Sequence, residues 1–136
     1  MAASKKDKAV EGASAKSALI FEMDNVALGA RQIRYDVLAG ILKEQGIAFS
    51  PVLFSRYCLH PAPSAFMPEF LKIMKVKSAT PEQVVDRLTG ETVSRLMQKT
   101  TLVNGGLVKW MEAAVARGAV VACVSMLPQE SAEAVA

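Results

Sequence analysis

The stretch SALIFEMDNV, residues 17–26, decides the fold class of this chain. Its first half is a short apolar run without polar alternation, which is the pattern of a strand covered on both faces in a parallel sheet. The run ends abruptly at Glu22 and Asp24, two carboxylates separated by one residue. We therefore predict a buried strand over residues 17–21 with an acidic loop at its carboxyl end.

A second apolar run, residues 119–124, lies near the end of the sequence and delivers Ser125 to its carboxyl end. Asn104-Gly105-Gly106 predicts a turn before it. Apolar residues at helical spacing then predict a helix that ends at Arg117-Gly118: Leu107, Val108, Met111, Ala114 and Val115. Pro128 predicts the start of a last helix.

Between the two strands the pattern is helical. A helix after Gly29 that stops near Gly46 is predicted by the apolar spacing of Ile33, Val37, Leu38, Ile41 and Leu42. Further helices are expected over residues 50–58, 64–75 and 80–99, the last with Pro81 in its first position. We interpret Trp110 as a packing residue. We expect four methionines to lie in the helix core with the Phe residues: Met67, Met74, Met97 and Met111.

The predicted fold class is α/β, a partial Rossmann-like core with an inserted α-helical cap. Residues 1–17 form a disordered leader, residues 18–29 and 100–136 form the core portion, and residues 30–99 form the cap. Ligands of such sheets bind beyond the carboxyl ends of the strands. We therefore expect Glu22, Asp24 and Ser125 to lie at one edge.

Composition excludes several classes of protein. The 136 residues are 51% hydrophobic with a net charge of +3, and four Lys against two acidic residues in the leader carry two units of it. The rest shows no cluster of basic residues for nucleic acid, and no apolar run approaches the ~20 residues of a membrane span. Cys58 and Cys123 are far apart, with Cys123 in the second buried strand, so we predict no disulfide and a cytoplasmic setting.

The acidic pair carries the chemistry. Two carboxylates one residue apart beyond a strand can bind a divalent cation and divide the roles of nucleophile and acid/base between them. A Ser at the end of the adjacent strand could hydrogen-bond an oxyanion bound there. That geometry suits phosphoryl transfer through an acyl phosphate.

Residues 20–26 resemble the first motif of the haloacid dehalogenase (HAD) superfamily, a hydrophobic strand followed by Asp-x-Asp-Gly-(Val/Thr). Residues 104–107 and 116–125 are similar to the segment that leads into its second motif, and the cap falls where small phosphatases and phosphomutases of that superfamily place it. The resemblance covers roughly residues 18–136. It implies Mg²⁺ held by Glu22 and Asp24, with Glu22 at the nucleophile position and Asp24 as acid/base, and a phosphoryl group bound by Ser125 and Asn25.

The motif also departs from the superfamily pattern. Glu22 replaces the nucleophilic Asp, and its extra methylene moves the carboxylate by ~1.5 Å where productive geometry tolerates ~0.5 Å. Asn25 replaces a Gly, and no Lys or Arg follows Ser125 to serve as the third-motif base. The fourth-motif acids are absent as well. The sequence therefore predicts a weak or inactive phosphohydrolase acting on a small phosphorylated molecule.

Two parallel strands are too few to bury the apolar faces that both present. The rest of the sheet comes from a longer protein or from another subunit, or the domain has shrunk and repacked. An alternative function follows, a non-catalytic binding or assembly module that forms a homo-oligomer or recruits a partner to complete the sheet.

Three further side chains could have either a structural or a functional role. We interpret His60 as structural, because it and Cys58 are too few to make a zinc site. Arg31 and Arg34 could meet an anionic substrate or could form a solvated helix face.

Overall fold

A computed structural model describes residues 17–98 and 104–135, and it contains two strands that form one parallel sheet. Strand β1 spans Ala18–Glu22 and strand β2 spans Val120–Val124. Ala18 lies opposite Val120, and Glu22 lies opposite Val124. Both predicted strands are confirmed, and their carboxyl ends meet at one edge. Of the predicted leader, only Ser17 falls within the described residues.

Helices occupy most of the remaining residues. A π-helical turn, Met23–Ala27, follows β1, and a 3-10 turn spans Pro63–Ala65. The α-helices are α1 Ala30–Glu44, α2 Pro51–Tyr57, α3 Met67–Ile73, α4 Pro81–Gln98, α5 Gly105–Ala116 and α6 Gln129–Val135. The predicted helices are therefore confirmed, although α3 is shorter than the expected 64–75, because the 3-10 turn precedes it.

Local side-chain caps explain where several helices begin. The hydroxyl of Ser50 accepts from the N–H of Leu53 at the start of α2. Thr80 and Gln83 form a reciprocal capping box at the start of α4. The turn predicted at residues 104–106 is wrong in part, because the Asn104 side chain accepts from the N–H of Gly106 and so begins α5 at Gly105.

The core lies among the helices of residues 30–98. Every apolar residue predicted to face inward from α1 is buried, and Phe70 and Met67 are almost fully enclosed. Helix α1 packs on α4. Arg87 of α4 joins the two helices by its ion pair with Glu44 of α1, and it forms a second ion pair with Glu91 within α4. Met97 is 54% exposed, so the expectation of a methionine core fails there.

The sheet is much less covered than predicted. Ile20 is 66% exposed, Val120 53% and Val124 56%. Cys123 is exposed and Cys58 is the buried cysteine, and Trp110 is 62% exposed rather than packed. The expectation of a strand pair covered on both faces is wrong, because within the described residues two strands with one packed helix, α5, cannot enclose both faces. None of the described helices is long and apolar enough to cross a bilayer.

Candidate functional site

Glu22 ends β1 and turns its carboxylate onto the residues that follow it. Oε2 accepts hydrogen bonds from the backbone N–H groups of Asn25, at 2.8 Å, and Val26, at 3.2 Å. Oε1 accepts from Nδ2 of Asn25 at 3.1 Å. Glu22 thus acts as the N-cap of the π-helical turn, and a carboxylate at that end of a helical turn is stabilised by its unpaired N–H groups.

Asp24 joins the ends of the two strands. Its side chain is buried, and Oδ1 accepts from the Ser125 hydroxyl at 2.5 Å while Oδ2 accepts from the Met126 N–H at 2.9 Å. The Ser125 Oγ in turn accepts from the N–H of Leu127 at 3.1 Å. Because bonds to a carboxylate are short and strong, this network fixes the loop after β2 against the turn after β1. The structure thereby brings Asp24 and Ser125 together.

A cavity of about 350 Å³ opens beside this network, between the strand ends and the helical segment. Asp24, Asn25 and Arg34 line it on one side, and residues 61–64 and 126–128 form parts of its rim. The opposite wall belongs to α4, which contributes Val85, Leu88, Thr89 and Thr92. Glu22 and Ser125 are not among the lining residues. Of the four predicted site residues, Asp24 and Asn25 therefore face the cavity, whereas Ser125 contacts it only through Asp24.

Arg34 brings a positive charge to the cavity. Its Nη2 donates to the backbone oxygen of His60 at 3.0 Å. Burial lowers the pKa of Arg34, and the carboxylate of Asp24 acts in the opposite direction. A guanidinium stays protonated under such a shift. From the sequence, Arg31 and Arg34 could either contact an anionic substrate or form a solvated helix face. In the structure Arg34 lines the cavity, whereas Arg31 is exposed.

The inward position of Arg34 could have been predicted from its spacing on α1. Arg34 stands four residues after Ala30 and four before Leu38, both buried, so it shares the inward face of α1. Thr92 was missed altogether. It continues the buried four-residue series of Val84, Leu88 and Leu96 on α4, where one hydroxyl interrupts an apolar stripe.

The Mg²⁺ site implied by the resemblance does not fit the described residues as they are arranged. Mg²⁺ requires near-octahedral oxygen ligands, but the oxygens of Glu22 and Asp24 already accept hydrogen bonds from neighbouring groups. Within residues 17–98 and 104–135 no group of three or more His, Cys, Asp or Glu side chains is placed to hold a metal ion. The site offers one buried carboxylate and one guanidinium, and Glu22 is engaged as the cap of the π-helical turn.

The sequence matches no protein-family profile and no curated protein. Among solved structures, the fold is similar to that of a proposed beta-phosphoglucomutase from Thermotoga maritima, with a TM-score of 0.64 at 19% identity. The match covers 86% of this chain and 53% of the other, so the chain spans about half the length of that structure. This similarity confirms the predicted fold class, a partial Rossmann-like α/β core with an inserted helical cap.

Proposed function

We propose that this chain is a HAD-type phosphohydrolase scaffold that binds a small phosphorylated molecule beyond the carboxyl ends of its strands, with little or no hydrolysis by the described residues. The observation that carries the proposal is the Asp24–Ser125 hydrogen bond, which joins the two strand ends at the wall of the cavity. The HAD-like fold supports the same location, because ligands of such sheets bind at that edge. In this proposal Asp24 is the acid/base group and Asn25 contacts the phosphoryl group, while Ser125 holds Asp24 in place through its hydrogen bond.

Weak hydrolysis follows from the position of Glu22. To attack phosphorus, an oxygen of Glu22 would have to leave the N–H groups of Asn25 and Val26. Losing such a cap costs about 1 kcal/mol, and the freed carboxylate would still be misplaced by its extra methylene. Among the described residues that line the cavity, Arg34 is the cation. In this proposal it supplies, from the side of α1, positive charge that offsets the phosphoryl group.

Hydrolysis of p-nitrophenyl phosphate, with and without Mg²⁺, tests the proposal. We expect the wild type to stay near the uncatalysed rate. We expect the same of Glu22→Asp, because shortening the side chain adds no cation beside the phosphoryl group. Calorimetric titration with phenyl phosphate should nevertheless detect binding. Asp24→Asn should tighten that binding about tenfold, because it removes a carboxylate that repels the phosphate. Asp86→Asn, at an exposed position on α4, is the matched charge control.

Two outcomes contradict the proposal in different ways. Mg²⁺-dependent turnover that disappears in Asp24→Asn would show an active hydrolase. Phenyl phosphate binding that is absent, or that is insensitive to Asp24→Asn, would place phosphate recognition elsewhere. Thermal unfolding of each variant verifies that a lost signal is not lost folding.

The second candidate is an assembly module, favoured by the exposed apolar sheet. Val108, Met111, Val115 and Val121 line a shallow groove between α5 and β2, and Val120 and Val124 are more than half exposed. Monomers rarely leave such a surface bare. Sedimentation equilibrium should then show self-association that Val120→Lys abolishes. A wild-type chain that stays monomeric at high concentration would exclude self-assembly through this face.

A further inference from the structure

Strand β1 has one edge that is hydrogen-bonded to β2 and one edge that is free. The N–H of Val120 donates to the carbonyl oxygen of Ser17 at 3.1 Å, so the backbone groups of Ser17 point toward β2. In a parallel pair, the backbone groups of every second residue point toward the neighbouring strand. Those of Ala18, Ile20 and Glu22 therefore point away from β2, and among the described residues no strand pairs with that side.

This free edge lacks the features that keep edge strands from pairing. Residues 18–21 contain no Pro, no Gly and no charged residue, and such residues are what commonly protects an edge. Ile20, in the middle of the edge, is the most exposed large apolar side chain of the two strands. A sheet of two strands is marginal by itself, whereas three or more strands are stable. The edge is therefore suited to accept a further strand.

The backbone groups of this edge are complementary to those of a second copy of the same edge. When two copies of β1 run antiparallel with Ile20 opposite Ile20, these two residues exchange N–H···O bonds. On either side, the N–H of Glu22 meets the carbonyl oxygen of Ala18 in the second copy. The outward groups of one copy thus find partners in the other without any change in the β1–β2 pair.

Charge favours the same register. Glu22 is the one charged residue of β1, and this register places it opposite the neutral Ala18 of the second copy. The two Glu22 residues then lie roughly 14 Å apart along the strands, which exceeds the Debye length of about 8 Å at physiological salt. A register with Glu22 opposite itself would instead place like charges together, which is destabilising.

We propose that two copies of this chain associate through the free edge of β1. The product is a four-stranded sheet in the order β2-β1-β1-β2, antiparallel at its centre, where Ile20 of one copy faces Ile20 of the other. This inference rests on the assembly candidate and deepens it, since it assigns self-association to the edge of β1 rather than to the open face that carries Val120. It needs neither phosphate binding nor turnover.

Sedimentation equilibrium of the intact chain and of charge variants tests this edge. We expect the wild type to dimerise with a Kd of about 100 µM or tighter, weak because one strand pair buries less than a standard interface. Ile20→Lys and Ile20→Glu should each raise the Kd at least about tenfold, because position 20 faces itself. An equimolar mixture of the two variants should recover a Kd within about threefold of the wild type. Val52→Lys, at an exposed apolar position on α2, is the matched control and should change the Kd by less than about twofold.

Cysteine cross-linking measures the register directly. Residues of a hydrogen-bonded antiparallel pair have Cα atoms about 5.5 Å apart, a distance that a disulfide can span. In a Cys123→Ser background, Ile20→Cys should therefore form a covalent dimer with oxidised glutathione, read on a non-reducing gel. Ala18→Cys, which lies roughly 14 Å from its own copy in this register, should not. Sheet faces that pack on each other are about 10 Å apart and would not allow the cross-link at position 20.

Each result supports or overturns the edge. Recovery in the mixture, with a dimer that survives Val120→Lys, supports it. Self-association that Val120→Lys abolishes and Ile20→Lys does not supports the open face instead and overturns the edge. A wild type that stays monomeric overturns the edge and the assembly candidate together, and leaves phosphate binding untouched. An equal loss in Val52→Lys also overturns the edge. If thermal unfolding shows that the charge variants do not fold, the cross-linking of Ile20→Cys against Ala18→Cys decides.

Discussion

Removing the Asp24–Ser125 hydrogen bond is the sharpest test of how the two strand ends are joined. Ser125→Ala deletes one bond to a carboxylate and one accepted from Leu127. Bonds to charged groups contribute about 1.5–3 kcal/mol and neutral ones about 0.5–1.5, so we expect Ser125→Ala to lower the free energy of unfolding by about 3 kcal/mol. Asp24→Ala deletes two bonds to the carboxylate but also removes a buried charge, and we expect a loss of about 3 kcal/mol as well.

The coupling between the two substitutions isolates the shared bond. The double variant loses that bond only once, so its total loss should be about 1.5 kcal/mol smaller than the sum of the single losses. Urea denaturation followed by circular dichroism, with linear extrapolation, measures all four free energies. Ser94→Ala, at an exposed position on α4, is the matched serine control, and its effect should add to that of Asp24→Ala within about 0.5 kcal/mol.

A coupling below about 0.5 kcal/mol would refute this reasoning. It would mean that Asp24 and Ser125 stabilise the fold through separate contacts. The Asp24–Ser125 hydrogen bond would then not be what holds the carboxyl ends of β1 and β2 together at the candidate site.

Other contacts give independent expectations. Glu22→Ala should lower the free energy of unfolding by about 1 kcal/mol, measured in urea, because it removes the cap of the π-helical turn; an unchanged value would mean that the cap is dispensable. Burial raises the pKa of the Cys58 thiol in the folded protein to about 12, whereas an unfolded thiol has a pKa of about 8.5. Between these two pH values only the unfolded chain releases the proton. The free energy of unfolding should therefore fall as the pH rises through this range. Cys58→Ala should show a shallower fall, and equal slopes would contradict the assignment. In the native protein, iodoacetamide should modify the exposed Cys123 and spare Cys58, as read by peptide mass. Arg87→Gln should lower the midpoint of thermal unfolding slightly at low salt and hardly at all at high salt, since its two ion pairs are exposed.

The elements that sequence predicted best are those with strong periodicity. The inward residues of α1 recur at helical spacing, and all of them are buried. The two apolar runs became parallel strands because each is short, rich in aliphatic residues and bounded by polar residues or Gly. The carboxyl ends of the strands then had to meet, which is why the proximity of Asp24 and Ser125 could be anticipated.

What escaped prediction depends on side-chain direction and tertiary surroundings. The carboxylate of Glu22 turns back onto the N–H of Asn25, a side-chain direction that local spacing does not encode. An apolar strand such as β2 looks buried in sequence, whether or not anything covers it, so the 56% exposure of Val124 required coordinates. Thr92 drew no attention because a threonine in an apolar stripe is usually satisfied by its own helix.

The pairing of β1 with β2 has a consequence for how the chain acquires its structure. Asp24 and Ser125 are 101 positions apart, so joining them closes a very long loop, whereas the helices between them form from local contacts. Contacts this remote form slowly, because the loop must be ordered before they contribute. During synthesis, β1 is the first of the described elements to leave the ribosome. It therefore stays unpaired and exposes its apolar residues until β2 has emerged. We expect helical signal in refolding experiments to recover before the strand pair docks, and this waiting strand to be where aggregation begins.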